Sequence, residues 1–133
     1  MKFILLIVMM SIVIGSTDFV KIEVKPRTLE VIESRPASFD VYLRAGEGIH
    51  VNAQPAITIK SGTEGVEFSI ASLVKAGDYL DLSKPIKIAC KVDGLGPGAH
   101  RADFVLSYTY CSDKEGWCRM GKDKSSVEIK VKN

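Results

Sequence analysis

The chain has 133 residues, 46% hydrophobic and 26% charged, the composition of a single ordinary globular domain. With 18 basic and 16 acidic residues the formal net charge is +2, which gives no reason to propose nucleic acid or an anionic membrane as partner. Low-complexity blocks and internal repeats are absent from the sequence.

The first stretch, "MKFILLIVMMSIVIGST", has a positive charge at Lys2 and an apolar run from Phe3 to Met10. Ser11 interrupts the run, Ile12 to Ile14 resume it, and the small residues Gly15, Ser16 and Thr17 follow. This is the layout of a secretory signal. Its apolar part, about 12 residues, is shorter than the ~20 that a bilayer-spanning helix needs. The expectation is a signal peptide over residues 1–16, cleaved after Gly15 or Ser16, and an exported, periplasmic domain over residues 17–133. An uncleaved membrane anchor is the other arrangement. Either one places the domain in an oxidising compartment where disulfides persist.

From Asp18 onward the apolar residues alternate with period two, the signature of half-buried strands. "DFVKIEVK", "SFDVYL", "GIHVNA", "AITIK" and "GVEFSI" are strand candidates, followed by "PIKIACKV", "RADFVLSYTY" and "SSVEIKVK". Turn signals separate them at Lys25-Pro26, Gly46 to Gly48, Ser61-Gly62, Gly77-Asp78 and Gly94 to Gly98. A weak helical turn is expected near Ile70 to Ala76. About eight short strands predict an all-β chain, an immunoglobulin-like antiparallel β-sandwich, with a small barrel as the second possibility.

Side chains alternate between the two faces of a strand, so parity places the three cysteines. Cys90 shares a face with Ile86, Ile88 and Val92 and is expected in the core as a small hydrophobe. Along "RADFVLSYTYC", Phe104, Leu106, Tyr108 and Tyr110 share the apolar face, and Cys111 points the other way. Cys118 follows across the charged loop "SDKEGW". Cys111 and Cys118 are placed to meet, and three chemistries are open to them. As a structural staple they close an eight-residue loop, for which chain entropy gives only ~2.5 kcal/mol. As a zinc clip they lack the usual spacing of two to four residues and a second pair, since His50, His100 and the core-facing Cys90 are the remaining candidates, with Met120 a further ligand only for a softer metal. As a redox pair they would present a disulfide to an attacking thiolate, with Lys114 and Arg119 favouring the thiolate and Asp113 and Glu115 opposing it.

The residues also carry a family likeness. A late strand ends in Tyr108 and Cys111, a short loop with Gly116 leads to Cys118, and a last strand follows. Upstream stands Gly48, His50, Asn52, Ala53 and Pro55, then "AITIK" and the turn "SGTEGV". Over roughly Phe39 to Lys132 the chain resembles the N-terminal periplasmic (alpha) domain of DsbD-type thiol:disulfide interchange proteins, an immunoglobulin-like module. The resemblance implies that Cys111 and Cys118 shuttle between dithiol and disulfide. They would take electrons from a thioredoxin-like or DsbD-type membrane protein and pass them to oxidised envelope proteins, cytochrome c maturation factors among them. No cofactor is implied. By the same resemblance His50 and Asn52 lie beside the disulfide, and a cap loop between Phe68 and Tyr79 shields it. Phe68, Leu73 and Tyr79 are candidates to cover it, with ordinary core packing as the first expectation for any one of them. Arg119 would favour reactivity at Cys118, and Trp117 would shield the sulfurs or dock on a partner. Because the chain ends at Asn133, a stand-alone module with a separate electron donor is expected. The alternative is a non-catalytic exported protein-binding sandwich with a structural disulfide.

Overall fold

In a computed structural model, which describes residues 19–132, nearly every alternating stretch is a strand. The expected signal peptide, and with it the domain boundary at residue 17, lies outside the described residues. β1 (Val20–Lys25), β2 (Thr28–Ile32) and β3 (Ala37–Ala45) come first. β4 (Ile49–Val51), β5 (Thr58–Ser61) and β6 (Val66–Ser72) follow. A small hairpin of β7 (Lys75–Ala76) and β8 (Tyr79–Leu80) turns at Gly77, whose φ of 65° suits glycine. β9 (Ile86–Val92), β10 (Gly98–Ser112) and β11 (Trp117–Lys132) complete the order.

One sheet runs β1-β3-β9-β6 and the other β2-β11-β10-β4, with β5 also paired to β10. Take β1 and β2 as a first strand divided between the sheets, and β4 with β5 as an interrupted third. The two orders are then the ABED and CFG sheets of an immunoglobulin-like sandwich. Pairing is antiparallel except between β2 and β11, which run parallel. The expected helical turn over Ile70 to Ala76 is instead the end of β6 and the start of the β7–β8 hairpin, with a register shift between Ile70 and Ser72. One helical turn is too short to nucleate alone, and pairing to β9 satisfies the same backbone groups.

The core lies between the sheets and is built from the inward parity of each strand. Val41, Val51, Ile88, Val92, Leu106 and Ile129 are fully buried. Phe39 on β3 and Phe104 on β10 approach to 5.7 Å, and Phe68 on β6 touches both. Antibody domains join these two strands with a disulfide, whereas here aromatic packing spans the sheets. Cys90 sits in this core as a free thiol, and burial pushes its pKa up to about 11. Phe68 is therefore a core residue and not a cover for the disulfide.

β10 and β11 form a hairpin paired without interruption from Gly98↔Val131 to Ser112↔Trp117. Both strands are longer than the alternating stretches that announce them. The turn between them closes where Gly116, at φ 68°, donates its N–H to Ser112 C=O at 2.9 Å. Ser112 Oγ accepts from the Glu115 N–H at 3.2 Å, so the charged residues of the turn stay in water.

Candidate functional site

The ladder fixes the partner of each cysteine. Cys111 and Cys118 face each other directly on β10 and β11, their Cα atoms 4.1 Å apart, and are joined by a disulfide. On the other side of β10, Cys111 faces His50 on β4. His50, Cys111 and Cys118 thus form one row across three strands on the outer face of the sheet. Asn52, Thr109 and Met120 form the next row.

Parity correctly turns Cys111 away from the core, but its side chain is only 9% exposed. The cover is the β7–β8 hairpin. Tyr79 is bridged to Asn52, and the Ala53 N–H donates to Asp78 C=O at 2.9 Å. The Tyr79 ring stacks on His50 at 4.5 Å, and Asn52 Oδ1 lies 3.3 Å from Cys111 Sγ. A cleft lined by Asn52, Gln54, Lys75, Asp78 and Tyr79 opens onto Cys111. Cys118, by contrast, is exposed. One end of the disulfide is roofed and the other meets solvent.

Of the residues singled out from sequence, His50 and Asn52 come to the disulfide, and Tyr79 covers them. Asp113 joins them, because its carboxylate pairs with His50 Nε2 at 2.5 Å. That contact was open to sequence reasoning only if the β4–β10 register were known. Leu73 packs against the core instead. Trp117 and Arg119 have the parity opposite to Cys118. Trp117 packs edge-on to Phe19 and Tyr110, at 5.1 and 5.7 Å, and its indole N–H donates to Glu115. The Arg119 guanidinium lies 4.1 Å over the Trp117 ring. The two therefore build an aromatic–cation stack on the inner side of the hairpin tip, and the shielding expected of Trp117 comes from Tyr79. Tyr108 is buried on that inner side, its hydroxyl donating to the Asp123 carboxylate. His100 stands at the far end of β10, its ring nitrogen 2.6 Å from Gly96 C=O. Among the described residues no three His, Cys, Asp or Glu side chains come together as a metal site.

The molecule is thus an immunoglobulin-like β-sandwich with a disulfide across the tip of its longest hairpin. The chain matches no protein-family model and no curated protein. Several solved structures are similar to it in part. Murine CRIg is 7% identical with a TM-score of 0.48, over 86% of this chain and 98% of that one. Domains 4 and 5 of the S-layer protein SbsC are 16% identical with a TM-score of 0.44, over 85% of this chain and 45% of that one. AggA, the major subunit of aggregative adherence fimbriae type I from Escherichia coli, is 15% identical with a TM-score of 0.40, over 85% and 94%. None of these three is named as a DsbD domain.

Proposed function

We propose that the chain is an exported thiol–disulfide exchange module that relays electrons through Cys111 and Cys118. Its donor would be a DsbD-like or thioredoxin-like dithiol protein, and its clients oxidised envelope proteins. The observation that supports this is the uneven cover of the disulfide, with Cys118 exposed and Cys111 held under Tyr79 beside Asn52. A donor thiolate attacks Cys118 Sγ, the S–S bond breaks, and the electron pair leaves on Cys111 Sγ, which then takes a proton from water. The donor's second thiolate attacks its own sulfur in the mixed disulfide and frees the Cys118 thiolate. The donor is now a disulfide and the module a dithiol. Delivery reverses the order: Cys118 attacks the client disulfide, and Cys111 attacks Cys118 to release the reduced client.

Asn52 bears on the dithiol form. A disulfide sulfur has no proton to donate, whereas a Cys111 thiol can donate to Oδ1. The contact at 3.3 Å therefore becomes a hydrogen bond only on reduction.

A second reading requires less: a non-catalytic exported protein-binding sandwich whose disulfide is structural. It is favoured by what the sulfurs lack. Arg119 is turned to Trp117 on the other face and His50 is engaged by Asp113, so neither side chain is held free for a thiolate. The fold and the disulfide agree with this reading without further assumption. Redox titration of the purified domain separates the two. A potential well below ~−300 mV assigns the disulfide to structure, and a higher one to exchange.

A further inference from the structure

In an antiparallel ladder each residue turns its own N–H and C=O to one side, and the side alternates along the strand. The 4.1 Å separation of Cys111 and Cys118 is that of a pair exchanging no backbone hydrogen bonds. The bonds of β10 agree. Thr109 C=O accepts from the Asn52 N–H and the Asp113 N–H donates to Gly48 C=O, so this parity of β10 faces β4. Their β11 partners of the same parity, Cys118 and Met120, turn their backbone groups away from β10, as do Lys122 and Lys124. On that outer side β2 begins only at Glu128, whose N–H donates to Arg27 C=O. The chain enters β2 from the other sheet through Pro26 and Arg27, so no described strand pairs with the edge from Cys118 to Lys124.

The side chains of the same four residues stand on the outer face with the disulfide. Met120 is 75% exposed, and Lys122 and Lys124 are exposed beside it. Open edges recruit strands, and lysines are a usual defence against pairing with a second copy. They would not repel an acidic strand. Cys118 is the β11 member of a bond that spans the two strands. A nucleophile with Cys111 as leaving sulfur therefore approaches from this edge.

We propose that the edge of β11 from Cys118 to Lys124 docks an extended, cysteine-bearing acidic segment of the redox partner as an added antiparallel strand. With the partner's cysteine opposite Cys118, the residue two positions before it meets Met120. Residues four and six before it meet Lys122 and Lys124, so the segment is apolar at the first position and acidic at the other two. The partner's cysteine rests on the exchange reading, whereas the docking lane does not.

The test uses the oxidised full chain and a synthetic peptide with leucine and two acidic residues at those positions and serine in place of cysteine. Binding is read as backbone amide exchange by NMR. The amides of Cys118, Met120, Lys122 and Lys124 should slow about tenfold or more, while those of Trp117, Arg119 and Gly121, already bonded to β10, do not change. Lys122→Glu combined with Lys124→Glu should weaken binding by about tenfold or more. Met120→Pro removes one outward N–H without breaking the ladder and should abolish binding, with thermal unfolding confirming that the variant folds. No slowing at these amides at millimolar peptide, or slowing elsewhere, overturns the proposal. Dithiothreitol reduction separates the two ideas. A readily reduced disulfide with no peptide protection sinks the lane alone, and protection with an inert disulfide sinks exchange alone.

Discussion

The ring of Tyr108 packs against Gly121, its directly opposed partner on β11. A Cβ at Gly121 would stand 2.6 Å from the ring, closer than any carbon contact allows. Tyr108 cannot swing away, because it is 5% exposed and its hydroxyl is bound to Asp123. Gly121→Ala should therefore cost about 1–3 kcal/mol, the usual penalty for overpacking a filled site. Thermal unfolding checks it, and an unchanged midpoint would show that the ring adapts freely.

Removing the disulfide should cost little. The β10–β11 ladder already brings Cys111 and Cys118 together, so the bond constrains mainly the unfolded chain, by at most ~2.5 kcal/mol for an eight-residue loop. Cys111→Ser with Cys118→Ser should unfold cooperatively in urea at a midpoint only modestly reduced. A chain that no longer folds would mean that the hairpin tip depends on its bond.

The strands were legible because alternation is a local property. Ile86, Ile88, Cys90 and Val92 declare a buried face without help from any other segment, and Cys90 lies in the core as that parity requires. The outward parity of Cys111 was equally local. Its burial was not, since the cover comes from Tyr79 on a hairpin 32 positions upstream, held by backbone bonds that no sequence period announces. Trp117 and Arg119 show the converse. Adjacency in sequence to Cys118 suggested adjacency in space, yet one step along a strand is a change of face. The signal was in the parity, once β11 is known to begin at Trp117.

Alkaline pH should weaken the fold through Cys90. Burial raises its pKa from an ordinary 9.0 to about 11, so the folded state holds the thiol proton that the unfolded chain gives up. The stabilisation is complete below pH 9, falls as pH rises from 9 towards 11, and is gone above that. Urea unfolding at pH 8 and 10.5 should show the loss, on the order of 2 kcal/mol at most. The difference should shrink in Cys90→Ala. Identical pH dependence in the variant would assign the alkaline weakening to other groups.

Two aromatic residues packed on opposite faces of the β10–β11 hairpin should differ in their kinetic effect. Tyr79 roofs Cys111 by its bridge to Asn52 and its stack on His50, so Tyr79→Ala opens the sulfur to solvent and small reductants. Trp117 packs on Phe19, Tyr110 and Arg119 away from the sulfurs, so Trp117→Ala leaves them as they are. Under dithiothreitol, Tyr79→Ala should be reduced several-fold faster than the parent, because exchange depends on access to the sulfur attacked and on how the leaving sulfur is held. Trp117→Ala should match the parent in rate while losing stability from the broken stack. Equal rates for Tyr79→Ala and the parent would mean that the exposed Cys118 already sets the rate and that the roof over Cys111 does not gate exchange.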